Sequence, residues 1–104
     1  MTTAALDSGT RVYATATDAT AATATIAAVA GQKIYITDVI ASSDKAGSIM
    51  LVKDGTTTIW QVQVGVGNFS HHFETPLVTT AGASASVSID STSAGKANIA
   101  GVQL

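Results

Sequence analysis

Two adjacent histidines, His71 and His72, are the first residues to test for metal or acid–base chemistry in this 104-residue chain. They sit in an apolar/polar alternation running from Phe69 to Glu74, the pattern of an extended strand. Neighbouring side chains of a strand point to opposite faces, so the two imidazoles cannot share one metal without breaking it. His71 falls on the face of Phe69 and Phe73, next to a core or an interface, and His72 falls with Ser70 and Glu74 on the surface. A site built on His72 and Glu74 lacks a third ligand nearby. The seven acids are dispersed as Asp7, Asp18, Asp38, Asp44, Asp54, Glu74 and Asp90, without the alternating spacing of a calcium loop. Asp38 alone stands in an apolar register, with Ile34, Ile36 and Ile40. Burial there would raise its pKa, whereas a place at a strand end would let it reach solvent or a turn amide. Gly65-Val66-Gly67 is followed by no helix-opening segment and no P-loop lysine, so it is not a phosphate cradle. No Gly-x-Ser-x-Gly elbow and no cysteine is present, which removes that nucleophile motif, thiol chemistry and disulfides. No catalytic residue, cofactor site or metal site is expected, and an enzyme is not the reading the residues favour.

The elements that would position such side chains are strands. Residues 84–90 set Ala85, Val87 and Ile89 against three serines and Asp90. Residues 11–17 set Val12, Ala14 and Ala16 against Tyr13, Thr15 and Thr17. Period-two alternation of this kind marks half-buried strands. Residues 33–41 and 48–53 are β-branched apolar runs, and Asp54-Gly55 then supplies the positive φ angles of a tight hairpin. The partner run, 56–64, puts Thr58, Trp60, Val62 and Val64 on one face. After the glycine-rich break the strand at 69–74 ends at Pro76, which lacks an amide donor. Ala94-Gly95-Lys96 turns into a last strand at 97–104. The alanine-rich stretch 19–30 favours helix by composition, but Thr20, Thr23, Thr25, Ile26 and Val29 lower that propensity, so 23–29 reads as a strand. About eight short strands with no helix predict an all-β fold, a single-domain antiparallel β-sandwich.

Composition narrows the partners. The five basic residues are scattered singly and the net charge is −2, which argues against tracking nucleic-acid phosphates. No run approaches the roughly 18 apolar residues of a spanning helix. The first residues lack the basic and apolar regions of a secretory signal, so a soluble product made in the cytoplasm is expected. Nineteen alanines inflate the hydrophobic fraction and leave few large side chains for a core. At the same time several strands are apolar on both faces: Ile49 and Leu51 oppose Met50 and Val52, Ile34 and Ile36 oppose Tyr35 and Val39, and Ile59 points away from Trp60. An isolated sandwich strand should be polar outside. Two-sided strands are either covered on both sides or exposed for a partner, and the expectation is a homo-oligomer.

One stretch resembles a known family. The run from Gly31 to Ser42 (GQKIYITDVIAS) is followed by Gly47 to Gly55 (GSIMLVKDG), then Thr58-Ile59-Trp60, the turn ending Gly67-Asn68-Phe69, Pro76-Leu77 and Ser86-Val87-Ser88-Ile89. This order is similar to that of small jelly-roll head decoration (cement) proteins of tailed bacteriophages, over about residues 31–104. The resemblance implies a non-enzymatic virion protein on the capsid exterior, a homotrimer bound to the major capsid protein that stabilises the shell. Residues 1–10 would be an arm ordering on a neighbour or a frayed terminus, and residues 11–104 the sandwich. On that reading Tyr35, Val39, Met50, Val52 and Ile59 are candidates for protein interfaces, unless they form the second layer of the chain's own sandwich. The alternative function is a receptor- or carbohydrate-binding β-sandwich module of a phage tail or fibre. Exposed aromatic platforms would mark that alternative, and the chain has only five aromatic residues.

Overall fold

A computed structural model describes residues 9–104, which form eight strands and no helix. These are β1 (Thr10–Asp18), β2 (Ala21–Ile26), β3 (Ile34–Ser43), β4 (Ile49–Asp54), β5 (Thr57–Gln63), β6 (Gly67–Val78), β7 (Ala85–Asp90) and β8 (Gly95–Gln103). Sheet A has the order β1-β8-β3-β6 and sheet B the order β2-β7-β4-β5. Every pairing is antiparallel, and four of them join β1 to β8, β2 to β7, β3 to β6 and β4 to β5. The chain is thus a nested hairpin rolled into two layers, an eight-stranded jelly roll. The N-terminal arm expected over 1–10 lies outside the described residues save for Gly9 and Thr10, and Thr10 already pairs with Gln103 in β1.

The core lies between the sheets. Ile34, Ile36, Val39, Ala41, Ala97 and Ile99 from sheet A meet Ala22, Ala24, Ile26, Met50, Val52, Val87 and Ile89 from sheet B. Alanine has a specific place in it: β1 and β2 pack against each other on one side of the sandwich, where the inward residues are Ala14, Ala16, Ala22 and Ala24. Small side chains let the strands approach there, so the alanine-rich stretch becomes β2 rather than a helix. It ends at Ile26, short of the expected Val29, because the chain turns and Gln32 N–H donates to the Val29 carbonyl at 3.0 Å. On the opposite side, aromatic side chains of β5 and β6 bridge the layers. Trp60 stacks on His71 at 5.3 Å and meets Phe73 edge-on at 5.2 Å, and Phe73 lies 4.6 Å from His71. Each such pair adds about 0.5–1.5 kcal/mol beyond its buried area.

Two irregularities revise the expected faces. In β3 the register shifts between Ile36 and Asp38, leaving Thr37 as an extra residue against β8. Before this bulge Ile34 and Ile36 face the core; after it Val39 and Ala41 do, while Asp38 and Ile40 turn outward. The strict alternation that put Ile40 with Ile34 and Ile36 is therefore wrong beyond residue 37. Gly101 makes the bulge possible, since a Cβ there would stand 2.3 Å from the Tyr35 carbonyl oxygen. In β5 a second shift pairs Val52 with Trp60 but Lys53 with Thr58, so Ile59 is the bulged residue and Thr58 leaves the face of Trp60 and Val62.

Three strand ends also differ from expectation. β6 runs on to Val78 through Pro76, which is tolerated because residues 73–76 of this edge strand fall in a register shift and have no partner in β3. The hairpin between β4 and β5 turns on Gly55-Thr56, because Asp54 is still paired with Thr57. Only Gly55 has a positive φ there, 60°, which is the pattern of a type II′ rather than a type I′ turn. β8 begins at Gly95, inside the expected turn.

Candidate interaction surface

The outward side chains of sheet A form a grid that the strand register specifies. One row reads Arg11, Val102, Tyr35, Val78 across β1, β8, β3 and β6. The next reads Tyr13, Ala100, Asp38, His72, the third Thr15, Asn98, Ile40, Ser70, and the last Thr17, Lys96, Ser42, Asn68. The face is therefore divided along the strands. One half carries Tyr35, Val78 and Tyr13, the last 81% exposed, together with Arg11, Asp38 and His72; the other carries hydroxyls, amides and one ammonium around Ile40. Ile40 is 47% exposed. Between Tyr13 and Ile40, over Ala100, lies an apolar hollow of about 200 Å³.

Asp38 and His72 form the polar centre of this face. Their Oδ1 and Nδ1 atoms are 2.8 Å apart, and Thr37 donates its hydroxyl to Asp38 Oδ2 at 2.9 Å. The bulge, by turning Asp38 outward, is what makes this pair. Asp38 is half-buried and sits neither in the core nor at a strand end, so both expectations for it give way to a third arrangement. His71 packs with Trp60, Phe69 and Phe73, on the other side of β6 from His72, as the alternation implies. Among the described residues no group of three or more His, Cys, Asp or Glu side chains could hold a metal. No described helix is long and apolar enough to cross a membrane.

Of the five residues expected at interfaces, three are not available to a partner. Val39, Met50 and Val52 are at most 1% exposed and belong to the chain's own core. For Met50 and Val52 the reason is that β4 lies inside sheet B, with these two residues facing sheet A and Ile49 and Leu51 facing out. For Val39 it is the β3 bulge. Tyr35 is half-buried on the outer face of sheet A, and Ile59 is 36% exposed at the β5 bulge. The structure brings out Tyr13, Ile40 and Val78, which the sequence reading did not select. A signal for Tyr13 was present, since a large aromatic residue alternates there with Val12, Ala14 and Ala16, on the face that should be polar.

Aspartates hold the loops around this scaffold. At the end of the sandwich nearest the polar half, Asp44 accepts the Ser93 hydroxyl and the Thr92 and Ser93 amides, tying the β3–β4 loop to the β7–β8 loop. These bonds hold its carboxyl far below the usual carboxylate range. Asp90, with the Lys45 ammonium at 2.8 Å and the Ile49 amide at 3.0 Å, is also shifted down. Asp18 is lowered by the amides of Thr20 and Ala21 in the β1–β2 turn. At the other end Asp54 accepts the Thr80 amide and hydroxyl at 3.0 and 2.8 Å.

No family model and no curated protein matches the chain. Solved structures with a similar arrangement include PliG of Aeromonas hydrophila, a periplasmic inhibitor of g-type lysozyme, at 10% identity, with 91% of this chain and 89% of that one covered and a TM-score of 0.40. PirA aligns at 9% identity over 88% of this chain and 92% of its own, with a TM-score of 0.48. The Drosophila NLP core aligns at 14% identity over 88% and 97%, with a TM-score of 0.44. No functional statement about this chain follows from any of the three.

Proposed function

We propose that the chain is a structural virion protein, a capsid decoration protein that binds the outside of a phage shell as a homo-oligomer, a trimer, and stabilises it. The observation that carries this reading is the half of the outer face of sheet A that holds Tyr13, Tyr35 and Val78. Tyr13 stands 81% exposed on β1 and Val78 43% exposed on β6, the two edge strands of the sheet, with Tyr35 next to Val78 on β3. Exposed aromatic and aliphatic side chains spread across a rigid sheet, with Arg11 and the Asp38–His72 pair among them, have the mixed composition of a protein interface. Tyr13 lies on a strand, so its backbone is ordered before contact and the entropy cost of docking is small. The reading assigns this patch to the major capsid protein. Ile59, at the edge of the other sheet, gives a separate surface for the neighbouring copy, and the sequence resemblance to jelly-roll cement proteins supports the same assignment.

The test is to add the purified chain to expanded shells that lack it and to measure the bound fraction by sedimentation. The wild-type chain is expected to co-sediment, and Tyr13→Asp to lower the affinity about tenfold or more, the weight of one hot-spot residue. Tyr13→Asp binding as wild type would remove the patch from the contact. A wild-type chain left in the supernatant would contradict the decoration role itself.

A further inference from the structure

The polar half of the same face has a composition of its own. Register places Lys96, Ser42 and Asn68 side by side on β8, β3 and β6, with Asn98, Ile40 and Ser70 in the row beside them. Together with Phe69 these residues line a hollow of about 400 Å³, within the size range of small-molecule sites. Neighbouring strands lie about 5 Å apart and like-facing residues of one strand about 7 Å apart. The six side chains therefore frame an area of roughly 10 by 7 Å, the footprint of one six-membered ring with its substituents.

The chemistry within this frame is specific. Ile40 is its central apolar residue, and the rim holds two amides, two hydroxyls and one ammonium. None of these five polar side chains is hydrogen-bonded to another described residue, whereas Lys45 is held by Asp90 and Asp38 by His72. Amides and hydroxyls both donate and accept, which suits neighbouring hydroxyl groups on a ring. Lys96 is the single charged group of the lining. The Asp38 carboxylate borders Ile40 from the next row, on the side away from Lys96, and repels an anion there. A ring lying over Ile40 with one carboxylate would thus be oriented with that group toward Lys96.

We propose that this hollow binds a sugar acid, a pyranose bearing one carboxylate, with its C–H face on Ile40, its carboxylate on Lys96 Nζ and its hydroxyls on Asn68, Asn98, Ser42 and Ser70. The proposal does not rest on the decoration role, because the capsid contact is assigned to the other half of the face. It is tested by titrating the isotope-labelled chain with D-glucuronic acid, D-glucose and acetate and following backbone amide shifts. Glucuronic acid is expected to move the amides of Ser42, Asn68, Ser70 and Asn98 with a dissociation constant of about 1–10 mM. Glucose is expected to bind about fivefold or more weakly, the contribution of one charge-assisted bond at an open site. Lys96→Ala, an exposed position, should abolish that difference, and Lys53→Ala on the other sheet should leave it intact. No shifts up to about 20 mM would overturn the proposal. Lys96→Ala binding glucuronic acid as wild type, or acetate moving the same amides as far, would overturn it equally.

Discussion

Val39 and Ile40 are adjacent and both β-branched, yet the fold gives them opposite environments. Val39 is 1% exposed in the core and Ile40 is 47% exposed on the outer face. The bulge at Thr37 makes that difference, and nothing in the local pattern Ile34-Tyr35-Ile36-Thr37-Asp38-Val39-Ile40 reveals it, because strict alternation fits equally well. The signal lies 64 residues beyond Thr37, in Gly101, whose missing Cβ admits the β3 backbone. A glycine inside a strand is a recognised mark of close backbone approach, but its partner is known only from the pairing. Two substitutions separate the alternatives in urea denaturation. Val39→Thr buries a hydroxyl among apolar side chains and is expected to cost about 1–3 kcal/mol, while Ile40→Thr should stay within about 0.5 kcal/mol. The opposite order would restore unbroken alternation. Gly101→Ala forces a carbon against the Tyr35 carbonyl and is expected to cost about 2 kcal/mol or more, with β3 amides losing protection from hydrogen exchange first.

At the scale of elements, existence and faces were legible to different degrees. Period-two alternation located strands such as β1 and β7, where Ala85, Val87 and Ile89 alternate with Ser86 and Ser88, and β-branched runs bounded by turn residues located β3 and β4. Which side of a two-sided strand faces the core was not legible, since Ile49 and Leu51 are as apolar as Met50 and Val52. That depends on sheet order, which the sequence of one strand does not contain. Loop tethering by aspartate was equally hidden, because each carboxylate reaches an amide or ammonium of another loop or the turn beside it. The tethers predict an acid response with a definite sign. Asp18, Asp44 and Asp90 have folded pKa values below their unfolded ones. Their stabilisation is therefore complete above an unfolded pKa of about 4 and is lost as pH falls through the folded values. The melting temperature is expected to fall as pH is lowered from about 5 to 2, and Asp44→Asn to melt lower at neutral pH with a shallower acid slope. An unchanged slope in Asp44→Asn would mean that this tether does not contribute.

For the whole molecule, the rolled hairpin leaves two broad outer faces and little charge. The outer face of sheet B carries Thr23, Thr25, Ser86, Ser88, Gln61 and Gln63 with Ile49 and Leu51, whereas that of sheet A sets both of its tyrosines and Val78 in one half. The asymmetry within sheet A is the feature the proposed decoration role would use. Of the expected interface, Tyr35 and Ile59 remain on the surface and Val39, Met50 and Val52 belong to the core, and the proposed contact adds Tyr13 and Val78. A trimer in solution should show three times the 10.4 kDa chain mass by light scattering, and a mass of one chain would remove the oligomer from the account. The most direct test is a difference map from electron cryomicroscopy of expanded shells with and without the chain. Added density is expected on the outer surface, into which the jelly roll fits with Tyr13 and Val78 against the shell. Shells that show no added density at saturating protein would contradict it.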